Sequence, residues 1–273
     1  MRFPSGLIRA VFHRAFPPLL ATLALSLSLQ AKEVQPTCPA LNARPVALTI
    51  PSSPTPAKIT PALEGTASAP LIVIGFMGGH VSAGNLVHRE AQLARDLESR
   101  YPLAVDATVF ANHDWPQALA TVLRQLDRNN DGCLSPGEKN AARIVIYGHS
   151  WGASETVTLA RRLNRLGIPV LLTVQVDSVQ KADENDQLIP PNVHQAVNFY
   201  QADGLLHGRS RIAAMEPSKT AILGNFASSY REKSISCDGY PWFARTFMHQ
   251  HIEIENDPAV WKQIETMIAA MVR

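Results

Sequence analysis

Arg143-Ile144-Val145-Ile146-Tyr147-Gly148-His149-Ser150-Trp151-Gly152 is the stretch on which the fold turns. Its first five residues have the short, β-branched, two-sided apolar character of a central parallel strand, and 153–165 reads as a helix. Between the two the chain must reverse within a few residues. Glycines on either side of Ser150 relieve the crowding that so tight a turn imposes on its neighbours. The turn then lifts the Ser150 hydroxyl above the sheet, where it can attack. A Gly-x-Ser-x-Gly string arises by chance in roughly one chain in twenty of this length, so the strand before it and the helix after it carry the reading.

Working outward, strand and helix patterns alternate. Residues 71–76 read as strand, 85–100 as helix, 104–110 as strand and 116–126 as helix, ahead of the 143–147 strand. Residues 170–176 read as a further strand, ending at Asp177, and 220–223 as another. Such alternation means βαβ units around a parallel sheet. In the first helix Leu86, Leu93 and Leu97 share one face while Arg89, Asp96 and Arg100 point away, as in a helix covering a sheet. Asp257 and Pro258 cap a final helix running to Val272, because Asp accepts free amides and Pro tolerates the first turn. The fold class is α/β, a mostly parallel sheet with helices on both faces.

The whole chain has 273 residues, 46% hydrophobic and 18% charged, enough for one α/β domain with a sizeable core. A net charge of +2 without basic runs beyond the N-terminus argues against a nucleic-acid partner. Arg2, Arg9 and Arg14 precede an apolar run, 16–29, that is too short to span a bilayer and has the charge order of a secretory signal. Residues 1–31 are therefore expected to be a signal peptide ending at Ala31. Removal leaves no stable membrane span, and the product is periplasmic or secreted. Residues 32–68, with closely spaced prolines, read as a Pro/Ser-rich linker or arm carrying one edge strand at 46–50. Residues 69–273 form the folded domain. Of three cysteines, Cys38 is expected to pair with Cys237, leaving Cys133 unpaired in the monomer.

A serine hydroxyl needs a histidine to take its proton and a carboxylate to orient that histidine. Asp177 stands at the end of a strand after Ser150, at the sheet edge where ligands bind; Asp203 and Asp238 are the runners-up. His251 precedes the capped last helix by about six residues and is the expected base. His249 competes with it, and an extended segment would turn the two to opposite sides. His194 and His207 are assigned no reacting role. Two amides must face the oxyanion of a tetrahedral intermediate. Trp151 offers one, and the loop Gly75-Phe76-Met77-Gly78-Gly79-His80 offers the other through Phe76 or Met77.

Strand, Gly-His-Ser-Trp-Gly, helix, strand, Asp177, and His251 before the last helix resemble the α/β-hydrolase superfamily over 71–273. An acid on the strand directly after the nucleophile helix is similar to pancreatic-type lipases. The chain lacks clear first strands, so the resemblance implies a minimal α/β-hydrolase. It implies a serine esterase, lipase or thioesterase with Ser150 as nucleophile, acting on a small-molecule or lipid ester without an organic cofactor. A serine peptidase would use the same three residues.

One further motif stands between helix and strand. Residues 127–138 place oxygen donors at Asp127, Asn129, Asp131, the Cys133 carbonyl, Ser135 and Glu138, with Gly132 at the bend and a second helix at 135–143. This is the EF-hand order, and the ion it predicts is calcium. The loop enters the 143–147 strand at the end opposite Ser150, so calcium is expected to brace the fold. A non-catalytic calcium-binding module on a hydrolase scaffold is the competing class.

Overall fold

The computed structural model describes residues 69–182 and 184–272. The expected signal peptide (1–31) and arm (32–68), with its edge strand and Cys38, lie outside the described residues. The elements, in chain order, are β1 (Leu71–Phe76), α1 (Arg89–Arg100), β2 (Val105–Phe110), α2 (Trp115–Leu126), α3 (Pro136–Asn140), β3 (Ile144–His149), α4 (Trp151–Arg165) and β4 (Val170–Val176). There follow β5 (Leu188–Ile189), β6 (Val193–Gln201), β7 (Ala213–Ala214), β8 (Ala221–Ser228), α5 (Trp242–Phe247), α6 (His249–Asn256) and α7 (Pro258–Met271). The main sheet runs β2-β1-β3-β4-β6-β8, and every neighbouring pair is parallel. β5 and β7 form a small sheet of their own. Among the described residues no helix is long and apolar enough to cross a membrane.

Side-chain alternation divides the core. Leu71, Val73, Val145 and Tyr147 pack with Leu93 and Leu97 of α1 and with Val260, Trp261 and Ile264 of α7. Ile72, Ile74, Ile144 and Ile146 pack on the other face with Leu119 and Val122 of α2 and with Val157 and Leu163 of α4. β1 and β3 are buried throughout, so neither has a wet face. Each such aliphatic side chain contributes about 1.5–3 kcal/mol of burial. The chain leaves β1 toward β2 on one side and places β3 on the other, and that reversal opens the sheet's carboxyl edge between β1 and β3, where open α/β sheets bind ligands.

Four expectations are corrected. α1 begins at Arg89 rather than 85; Asn85 Oδ1 accepts from the Val87 amide in a local turn, and Leu86 is exposed outside the helix. β6, buried between β4 and β8, was not read as strand, because His194, Gln195, Asn198 and Gln201 interrupt its apolar pattern. His249 and His251 lie on helix α6 rather than on an extended segment. Finally, Cys237 is a free, buried thiol, its pKa pushed up to about 12 by burial, while Cys133 is disulfide-bonded; the Cys38–Cys237 pairing is overturned. The cap of α7 is as read: Asp257 accepts from the Ala259 amide at 2.8 Å and Pro258 occupies the first turn.

Candidate active site

Ser150 joins β3 to α4 with φ 56° and ψ −123°, a conformation costing a non-glycine residue about 1–3 kcal/mol. Its surroundings hold it there. The Ser150 amide donates to the Val176 carbonyl (2.9 Å), and the Ser150 carbonyl accepts from the Val179 amide (3.2 Å). A side chain on Gly152 would sit 2.2 Å from the Phe76 carbonyl oxygen, and one on Gly148 would meet the Gly152 backbone at 2.5 Å. The two glycines are required by close approach of strand, turn and helix.

Ser150, His251 and Asp177 come together in one chain of hydrogen bonds. His251 Nδ1 donates to Asp177 Oδ2 at 2.6 Å. An ionised carboxylate only accepts, so Nδ1 carries the proton and His251 Nε2, 2.8 Å from Ser150 Oγ, is free to accept from the hydroxyl. Asp177 also sits at positive φ (44°), directly after β4. Burial favours its neutral form, but bonds from His251, the Gln201 side chain (2.8 Å) and the Gly208 amide (2.8 Å) hold it below the usual carboxylate range. Burial, then the charge of His149, press the His251 imidazole below its ordinary value.

The competitors stand elsewhere. His249 points away on α6 and pairs with Glu253 at 3.5 Å. Asp203 binds Ser229, the Tyr230 amide and Arg231, and Asp238 binds Ser236. His194 is exposed on β6, and His207 faces the Gly208 carbonyl.

The expected oxyanion donors need revision. The Met77 amide is committed to the Phe110 carbonyl at 2.9 Å. Alternate β1 amides face β2 and β3: Leu71 donates to Ala104 and Ile72 to Arg143, so the Phe76 amide falls within the β3 ladder. The Gly78 amide is held by Glu90 Oε1 at 3.0 Å. Trp151 keeps its place at the start of α4, and the next loop amide is that of Gly79, at φ 55°. The ring of His80 rests edge-on against Trp151 at 5.3 Å, which brings this loop beside the serine turn. A cleft of about 450 Å³, lined by Val179, Gln201, Gly208, Arg209 and Arg211 among others, opens beside Asp177. Sequence reading did not find the polar residues that hold the site, Gln201 and Glu90; the β6 strand, once read, would have put Phe199 level with the end of β4 and Gln201 just beyond it, beside Asp177.

At the opposite end of β3 the 127–138 loop is closed by its own oxygens. Asp127 accepts from the Asp131 and Gly132 amides, and Asp131 Oδ1 from the Cys133 amide. Glu138 accepts from Arg128 through one oxygen and from Ser135 through the other, in a capping box that starts α3. The Ser135 bonds, then that from Arg128, hold the Glu138 carboxyl below its usual range. Gly132 takes φ 78°, which a side chain would resist. The second helix is five residues long, shorter than the 135–143 expected, and Leu134 packs onto the α2–α4 face of the core. Among these side chains the donor set is oxygen-rich and partly open to solvent, which fits a hard cation.

No family model matches the chain, and no curated protein matches it. Solved structures with some likeness include a cutinase-like protein from Cryptococcus sp. (14% identity, TM-score 0.38, covering 76% of this chain and 98% of that one). Another is the RedJ thioesterase of the prodiginine pathway in Streptomyces coelicolor (13%, 0.35, 76% and 98%). A third is a dienelactone hydrolase-like promiscuous phosphotriesterase from metagenomic libraries (13%, 0.37, 76% and 89%).

Proposed function

We propose that the protein is an exported serine hydrolase that cleaves a carboxylic ester or thioester. The observation that carries this reading is the unbroken line Ser150 Oγ, His251 Nε2, His251 Nδ1, Asp177 Oδ2, with the serine in a strained turn at the carboxyl edge of the sheet. Few structural needs require a positive-φ serine against a neutral imidazole. In the proposed reaction Ser150 Oγ bonds to the substrate carbonyl carbon while its proton passes to His251 Nε2. Asp177 stabilises the resulting imidazolium. The negative oxygen faces the Trp151 and Gly79 amides. His251 returns the proton to the departing alkoxide or thiolate, the carbon–oxygen or carbon–sulfur bond breaks, and water releases the acyl group by the same steps.

Calcium binding at 127–138 is the second part of the proposal. Asp127, Asn129, Asp131, the Cys133 carbonyl, Ser135 and Glu138 would hold the ion. Its contribution would be structural, since β3 separates the loop from Ser150 by about 20 Å at the usual rise per residue. The disulfide at Cys133 supports export, because such bonds persist in oxidising compartments. The enzymatic reading is tested with a fluorophosphonate probe and nitrophenyl esters of graded chain length. Labelling of the parent and its loss in Ser150→Ala are expected; a parent that neither labels nor hydrolyses any ester of the series sinks the proposal.

A further inference from the structure

Behind His251 lies a second set of buried ionisable side chains that the reaction above does not use: His88, Glu90, His149 and Glu255. They converge from three elements. His149 ends β3, Glu255 is on α6 one turn beyond His251, and Glu90 opens α1 with His88 as its N-cap. The His149 ring lies against the His251 ring, centroids 4.5 Å apart and planes inclined by 36°. His149 Nε2 donates to the backbone carbonyl of His251 at 3.1 Å, and its Nδ1 stands 3.2 Å from Glu255 Oε2. A carbonyl only accepts, so Nε2 carries a proton. Nδ1 faces the Glu255 carboxylate at ion-pair distance without a hydrogen bond of its own, and the attraction of that carboxylate favours the charged ring.

The rest of the cluster fixes that pair. Glu255 Oε1 takes His88 Nδ1 at 2.6 Å, with the Tyr240 hydroxyl 3.4 Å from the same nitrogen. Glu90 accepts the Gly78 amide through its carboxyl and the Tyr147 hydroxyl (2.7 Å) through its backbone carbonyl. Two acids and two histidines thus tie together the loop after β1, the residue before Ser150 and the helix that carries His251.

We propose that the buried His149–Glu255 ion pair is a positioning device for His251: it pins the His251 backbone, presses a charged ring against the imidazole, and through Glu90 holds the Gly78 loop in the same unit. The proposal rests on the reading of Ser150, His251 and Asp177 as the reacting groups. A positive ring at this distance opposes a second positive charge on His251, so the base stays neutral, and able to accept the serine proton, to lower pH than an isolated imidazole. The groups facing His251 are Ser150, Asp177, His149 and, farther off, Glu255; those facing His149 are Glu255, Glu90 and Asp177. The shifts agree in direction. Burial disfavours charge on His149, yet attraction and bonding to Glu255, with Glu90 and Asp177, raise it to about 9. Burial opposes ionisation of Glu255 as well, and His149, then His88, hold it well below the ordinary carboxylate range.

The test is the pH profile of the full-length protein on nitrophenyl acetate, or of fluorophosphonate labelling rate, for the parent, His149→Gln and Glu255→Gln. Glutamine at 149 keeps a donor for the His251 carbonyl and removes the charge. The ratio of kcat/KM at pH 8 to that at pH 5.5 is expected to rise at least about fivefold in His149→Gln, with KM within about twofold of the parent. Glu255→Gln, which takes away the partner of the imidazolium, should move the acid limb the same way. A parental pH profile in both variants, even with lowered melting temperature, overturns the proposal, because a purely structural role predicts that. If His149→Gln does not fold, Glu255→Gln decides alone. Should Ser150→Ala stay active, the hydrolase reading fails whatever His149 does; Ser150→Ala inactive beside parental profiles in both variants removes only the positioning role.

Discussion

The two ends of β3 solve opposite problems with the same kinds of side chain. At the carboxyl end, Ser150, His251, Asp177, His149, Glu90 and Glu255 are all buried, and each side chain bonds or pairs with a named partner across the fold. At the amino end, Asp131 is exposed, Asp127 and Glu138 are half-buried, and all three accept from amides of their own loop, Glu138 from the Ser135 hydroxyl as well. Charges in the first place act at close range in a low-dielectric setting, so changing one alters the chemistry of its neighbours. Charges in the second are screened by solvent, and their effect on the rest of the protein passes through stability.

The largest effects belong to the buried end. Ser150→Ala should lower ester turnover by about a thousandfold or more while leaving the melting temperature within a few degrees of the parent, since it removes one hydroxyl. His251→Ala should match it, and His249→Ala should stay within about twofold of the parent, because His249 points to Glu253. If the His249 variant is the inactive one, the hydrogen-bonded line does not describe the working enzyme. Asp177→Asn comes next. The amide cannot hold Nδ1–H of His251 as a carboxylate does, and turnover should fall by about a hundredfold or more, read in the same ester assay. Parental activity in Asp177→Asn would assign the acid to another residue.

How far the sequence disclosed each end follows from the same contrast. β1 and β4 match the expected boundaries, and the Ser150 turn was legible because an apolar strand, glycines and a helix follow one another within a few residues. The polar loop at 127–138 was visible for the same reason, its donors being close in sequence. Glu255 was not visible. It serves His149 across 106 positions, and its relation to His251 is one helical turn, which an extended reading of 249–257 concealed. β6 escaped because its polar residues face partners that exist only in the folded sheet: Asn198 reaches the Arg209 carbonyl and Gln201 reaches Asp177. Burial of polar groups against distant partners leaves no periodicity to read.

A stability measurement sharpens the comparison further. The His149 imidazole is raised from 6.5 to about 9 in the folded protein, chiefly by Glu255 against the effect of burial. Its contribution is therefore complete below about pH 6.5 and is lost as pH rises through about 9. That contribution is at most about 3.5 kcal/mol at one pKa unit per 1.4 kcal/mol. Urea midpoints of the parent and His149→Gln should differ most at pH 6 and converge toward pH 9.5, where the parent ring has also lost its proton. A difference that stays constant over that range would mean that the ring is neutral throughout.

The smallest effect on turnover, and the cleanest separation of the two ends, concerns calcium. A ligand that binds the folded loop and not the unfolded chain raises stability with its concentration, by about 2–3 kcal/mol at a hundredfold excess over Kd. For a domain of this size that corresponds to a rise of about 5 °C or more in melting temperature. Chelator should reverse the rise, and Asp127→Ala or Glu138→Ala should abolish the response. Glu138→Ala also deletes half of the capping box that starts α3, so a lower baseline is expected from that variant; the response to added calcium, rather than the baseline, is the quantity to compare. Turnover well below melting should change by less than about twofold, because β3 stands between the loop and Ser150. If millimolar calcium moves neither the melting temperature nor the calorimetric heat, the loop is a polar turn closed by its own amides. If calcium removal stops turnover in fully folded protein, the two ends of β3 are coupled, and the division between chemistry at one end and stability at the other does not hold.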